Sequence, residues 1–154
     1  MFIKMPKGIK NSDELVEKLL KKVSSIDRRL LVTDKNQDTI KIVLDSVNRL
    51  SLTVYDGAII ITCAKVVRKF YAFDYDTALE WVDDAAQYLS KIINSTVKIV
   101  NYYNRRKKCV KQELYKLSDE HWVLIIAIPK TINLFAANSK KLQAVSDIVT
   151  FTQQ

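Results

Sequence analysis

The sequence predicts an α+β fold in which an antiparallel sheet is covered by amphipathic helices, and three observations carry that prediction. Two alternating apolar runs flank Asp56-Gly57; two apolar stripes at helical spacing each follow a capping signature; and a continuous apolar run, residues 122–128, stops at Pro129. The expected order is α-β-β-β-α-β-β-β-α within a single domain over residues 1–154.

The central hairpin fixes a register. Asp-Gly suits a type I′ turn, whose two central residues need positive φ. Pairing outward sets Tyr55 opposite Ala58, Val54 opposite Ile59, Leu52 opposite Ile61 and Leu50 opposite Cys63. Leu50, Leu52, Val54, Ile59, Ile61 and Cys63 then share one face, and a slip of one residue would drive one strand's set into water.

The remaining elements follow in chain order after a short leader. Asn11 and Glu14 have capping-box spacing, and Leu15, Val16, Leu19, Leu20, Val23 and Ile26 give a helix over about residues 12–30. Residues 34–38 are polar enough to be a connection. Ile40, Ile42 and Leu44 form a half-buried strand, and a polar bend at residues 46–49 leads into the hairpin. Residues 64–69 break simple alternation, which a bulge or a new strand from Val66 accounts for. Thr77 and Glu80 make a second capping box, followed by a stripe of Ala78, Leu79, Val82, Ala85, Ala86, Leu89, Ile92 and Ile93. Asn94 suits the left-handed position that ends a helix. Val97 and Ile99 mark a strand, residues 107–117 read as a strand rather than a helix, and residues 122–128 read as a strand buried on both faces. After Asn138-Ser139, the spacing of Leu142, Val145, Ile148 and Val149 predicts a closing helix. Residues 39–43 (Thr-Ile-Lys-Ile-Val) match residues 96–100 (Thr-Val-Lys-Ile-Val), which suggests a duplicated αβββ unit.

The order helix, three strands, helix is similar to that of double-stranded-RNA-binding domains. Those domains open their final helix with a glycine and lysine signature, whereas residues 74–80 here read Asp-Tyr-Asp-Thr-Ala-Leu-Glu, so no residue roles carry over. Class I secretion chaperones share a helix, three-strand, helix, strands, helix order at this length. They are typically acidic, and this chain is basic.

Composition narrows the function classes. The chain has 154 residues, 48% hydrophobic and 27% charged, enough for one domain with a sizeable core. It holds no run of about 18 apolar residues, so no membrane span is expected. The amino terminus lacks the pattern of a secretory signal, and a soluble, cytoplasmic or otherwise intracellular protein is the expectation. With Gly 2 and Pro 2, glycine-rich phosphate loops of the Walker or Rossmann kind are excluded. Cys63, Cys109 and the single His121 have no metal-ligand spacing and form no disulfide framework, so no metal centre is expected. One histidine with no sequence tie to a serine or cysteine gives no nucleophilic arrangement.

Charge is segregated. Net charge is +8, and residues 98–116 carry seven basic side chains against Glu113 alone. Arg105, Arg106, Lys107, Lys108 and Lys111 suit a phosphate backbone, and so do Arg68 and Lys69. Tyr71 and Tyr103 lie beside these clusters, where aromatic rings stack on unpaired bases; since neighbours on a strand face opposite ways, only one of Tyr102 and Tyr103 can join such a surface. The principal expectation is therefore a non-catalytic nucleic-acid-binding protein that prefers single-stranded DNA or RNA and needs no cofactor. A protein-interaction or adaptor module, meeting an acidic partner or a second copy of itself as a homodimer, is the alternative. A third reading places Asp76, Glu80, Asp83 and Asp84 on one helix face as ligands for magnesium in a metal-dependent nuclease. Carboxylates in a first helical turn are also stabilised by the helix dipole alone.

Overall fold

A computed structural model of the chain describes residues 11–55, 57–130 and 142–153. The protein is mixed α+β, and the described residues form two α-helices and two sheets in place of the one sheet expected. It divides into two compact units, one of Met1–Asn94 with Phe151–Gln154 and one of Ser95–Thr150.

The first unit begins with α1 (Ser12–Lys22), whose cap forms as expected: the Asn11 side chain accepts from the Glu14 N–H at 2.9 Å. The helix stops eight residues short of the predicted end. Ser24 and Ser25 follow at once, and serines offer the backbone alternatives to helical hydrogen bonds; a separate 3₁₀ turn, Arg28–Leu30, is then capped by Asp27.

Five strands follow instead of three: β1 (Val32–Asn36), β2 (Thr39–Asp45), β3 (Leu50–Tyr55), β4 (Ala58–Cys63) and β5 (Val66–Tyr71), paired in that order and all antiparallel. β1 replaces the predicted connection at residues 34–38. It is exposed along its whole length, so backbone pairing forms it without any apolar alternation to mark it. The chain turns with Ala64 at φ 55° and restarts at Val66, so the irregularity at residues 64–69 is a new strand.

The β3–β4 register is the expected one at every pair, and all six inward residues from Leu50 to Cys63 are fully buried. Gly57 has φ 83°, while Asp56 lies outside the described residues.

The second helix, α2 (Ala78–Ile92), starts at Thr77, whose hydroxyl accepts from the Glu80 N–H at 3.2 Å, and ends with Asn94 at φ 54°. Its buried stripe is Trp81, Val82, Ala85, Ala86, Tyr88, Leu89 and Ile92. Trp81 and Tyr88 extend the predicted stripe, and Leu79 leaves it at 61% exposed. Both helices pack on each other and on the inner face of the five-stranded sheet.

The end of the chain belongs to this unit. Phe151 is fully buried, the Thr152 N–H donates to Asp45 at 2.9 Å, and the Asp27 N–H donates to the Gln153 side chain at 2.7 Å. Asp45 is itself fully buried at the β2–β3 turn, where its carboxylate also accepts from the backbone of Val47 and Asn48 and from the Asn48 side chain.

The second unit is a sheet of β6 (Ser95–Tyr103), β7 (Cys109–Ser118), β8 (His121–Pro129) and β9 (Gln143–Phe151, its last residue in the first unit), in the order β8-β7-β6-β9. Residues 109–118 are strand, as preferred above. Two expectations are overturned. The closing helix is β9: its β-branched residues Val145, Ile148, Val149 and Thr150 suit a pleated strand, and the spacing that suggested a helix carries no buried face, since Val145 and Ile148 are exposed. Asn138-Ser139, the proposed start of that helix, lies outside the described residues.

The apolar β8 is not buried on both faces but forms a sheet edge, with Val123 53% and Leu124 50% exposed. A continuous apolar run reads the same in either setting.

The β7–β8 turn holds Asp119 at φ 48° and Glu120 at φ 64°, both left-handed. A Cβ costs about 1 kcal/mol there, so Glu120→Gly is expected to raise unfolding free energy by up to about 1 kcal/mol. Urea denaturation checks this, and a loss of stability would contradict the turn geometry.

Candidate nucleic-acid interface

The basic run is the tip of the β6–β7 hairpin. Asn104 builds that tip: its side-chain oxygen accepts from the Arg106 N–H at 2.9 Å and the Lys108 N–H at 3.0 Å, and its own N–H donates to the Lys108 carbonyl at 3.0 Å. Lys107 takes the left-handed position at φ 61°. Local hydrogen bonds thus consume the backbone donors and leave Arg105, Arg106, Lys107 and Lys108 as four exposed side chains. None of the four has an ion pair among the described residues. A compact, unneutralised cluster of this kind is the arrangement that exchanges bound counterions for phosphates.

Below the tip, one face of the second sheet carries Lys98 and Tyr102 from β6, Lys111, Glu113 and Tyr115 from β7, and Trp122 from β8. Lys98 Nζ lies 5.0 Å from the ring centres of both Tyr115 and Trp122, and Lys111 Nζ lies 5.1 Å from that of Tyr102. Glu113 ties the row together, accepting from the Tyr102 hydroxyl and pairing with Lys111 at 3.4 Å. Burial alone would raise the Glu113 pKa, but the Tyr102 and Tyr115 hydroxyls and Lys111 outweigh it and hold it below the usual carboxylate range. The hydrogen bond to Glu113, with burial, pushes the Tyr102 phenol up to about 12. At neutral pH the face is therefore a row of neutral phenols and an indole interleaved with two lysines, whose charge Glu113 only partly offsets.

The structure groups the expected residues differently from their order in the sequence. Lys111 joins the surface, but its tyrosine neighbour is Tyr102; Tyr103 follows a bulge and lies on the opposite side of β6. Lys98, Tyr115 and Trp122 share this face and are not among the residues expected from the sequence. Alternation from Lys98 to Tyr102 was visible, but Tyr115 and Trp122 join only through cross-strand registers that two bulges shift.

The Arg68, Lys69 and Tyr71 cluster sits on β5 of the first unit and is split between faces. Arg68 turns to the helix side, its guanidinium 4.9 Å from the Phe70 ring centre, while Lys69 and Tyr71 face the open side. Tyr71 stacks on Phe73 with ring centres 5.2 Å apart.

The acidic residues are engaged separately. Asp83 pairs with Lys22 of α1 at 2.5 Å, Asp84 accepts from the Tyr75 hydroxyl at 2.5 Å, and Asp76 and Glu80 lie exposed at the start of α2. Among the described residues no group of three or more His, Cys, Asp or Glu is placed to hold a metal ion. Burial pushes the Cys63 thiol up to about 12, which makes it an inert core residue. Cys109 is free and half-buried, and His121 is exposed.

No family model, curated protein or solved structure matches this chain.

Proposed function

We propose that the protein binds single-stranded nucleic acid through the second unit, without catalysis. The observation that carries the reading is the continuity, on one sheet, of an unpaired basic hairpin tip with a face of aromatic rings and lysines. The tip supplies phosphate contacts. Tyr102, Tyr115 and Trp122 offer flat faces that stack on any base once the strand displaces Lys98 and Lys111 onto its phosphates. Duplex, whose bases are already stacked, gains only the electrostatic part.

The experiment is fluorescence anisotropy of labelled single-stranded and duplex oligonucleotides across a salt series. Arg105→Ala with Arg106→Ala, both exposed, is expected to weaken single-strand binding at least tenfold and to lower the slope of log affinity against log salt by about 1.4. Trp122→Ala is expected to reduce the preference for single strands while leaving the slope unchanged. An affinity indifferent to the double substitution would remove the hairpin from the interface.

The matched segments at residues 39–43 and 96–100 fall at the starts of β2 and β6. Each opens a three-strand meander, β2-β3-β4 and β6-β7-β8, which supports an ancestral αβββ repeat to which β1 and β5 are additions.

A further inference from the structure

We infer that β8 is the interface through which two copies of this chain pair, antiparallel and edge to edge. Among the described residues the two sheets present four edges, β1 and β5 on one and β8 and β9 on the other. β1 carries Asp34 and Lys35, β5 carries Arg68 and Lys69, and β9 carries Asp147. Charges on an edge strand are a common device against unwanted strand addition. β8 has none: from Trp122 to Ile128 every side chain is apolar, and Val123 and Leu124, on opposite faces of the strand, are each about half exposed.

Charge selects the occupant. The chain carries a net charge of +8, so a second copy is repelled from most of the surface, and a docking edge must place no lysine opposite a lysine. β8 meets that condition against itself in the antiparallel register centred on Ile125, which sets residues 122–128 of one copy across from residues 128–122 of the other, apolar against apolar throughout. An acidic partner is drawn instead to the hairpin tip, where the free positive charge lies. Pairing a strand with its own symmetry mate also closes: a twofold axis consumes both edges at once and stops at two copies.

The geometry has a consequence for the bound strand, and only this consequence rests on the function proposed above. Antiparallel pairing uses a twofold axis perpendicular to the sheet, so the same face of each copy stays on the same side. The two Lys98, Tyr115 and Trp122 clusters then lie on one continuous eight-stranded surface. A single strand bound there is read by both copies.

Sedimentation velocity over a dilution series, without nucleic acid, tests the pairing. The wild-type chain is expected to sediment at twice the chain mass, and Val123→Lys with Leu124→Lys at the chain mass with an unchanged circular dichroism spectrum. Amide hydrogen exchange gives a reading that does not depend on the variant: protection along β8 in the wild type is expected to fall as the protein is diluted to monomer. A wild-type monomer at every concentration, a dimer that survives both lysines, or open-ended higher oligomers would each overturn the proposal. Oligonucleotide affinity is measured separately. A dimer that does not bind single strands leaves the β8 interface standing and removes the function proposed above.

Discussion

Replacing Trp81 by alanine is expected to cost about 4 kcal/mol of unfolding free energy, the largest single effect at any position in the first unit. The indole is fully buried on α2, and its Nε1–H donates to the Phe70 carbonyl at 2.9 Å. Alanine removes an aromatic side chain from a close-packed site that cannot collapse, because α2 is held by the rest of its buried stripe. It also leaves the Phe70 carbonyl without this donor. Trp81→Phe separates the two contributions: it keeps most of the volume and is expected to cost about half as much. Urea denaturation followed by circular dichroism measures both. A loss below about 1 kcal/mol for the alanine variant would mean that the helix does not seat on the sheet through this residue.

Asp45→Ala is expected to destabilise by about 3 kcal/mol, for a different reason. The carboxylate is fully buried and accepts four hydrogen bonds, from the backbone of Val47, Asn48 and Thr152 and from the Asn48 side chain. Burial alone would raise its pKa, but the Asn48, Thr152 and Val47 hydrogen bonds outweigh that and hold it below the ordinary value of 3.8. A carboxyl whose pKa is lowered by folding adds stability above its unfolded value. That contribution disappears as pH falls through the lower, folded value. Wild-type stability should therefore decline on acidification below about 3.8, and Asp45→Asn should decline less steeply in that window. Equal acid sensitivity in the two proteins would mean that other carboxylates control the transition.

The parts of the fold that were legible in the sequence were those where burial and local backbone chemistry agree. The hairpin at residues 50–63 was read to the residue pair because its turn signal and its two apolar alternations allow a single register. The starts of α1 and α2 were marked by side chains that bond the first free N–H groups. The errors fall where a strand has no buried face. β1 and β9 are exposed for nearly their whole length, and β8 looks apolar without being enclosed, so period and composition cannot mark their positions. The candidate site follows the same division. Arg105, Arg106, Lys107 and Lys108 are adjacent in sequence and were found directly. Lys98, Tyr115 and Trp122 come together through strand pairing, which no local pattern records.

The tie between Asp45 and Thr152 also sets when the first unit is finished. α1, both helix caps and the whole five-stranded sheet are synthesised long before the donor that Asp45 awaits. The segment Ser95–Thr150 is in effect an insertion within the first unit, bracketed at its base by Asn94, which accepts from the Gln153 N–H at 3.5 Å. A nascent chain that stops after Thr150 keeps every strand of the first sheet. It lacks the Phe151 ring in the core and leaves a buried carboxylate one donor short. Emergence of Phe151 and Thr152, rather than of the first ninety-odd residues, is the event that completes the buried contacts of the first unit.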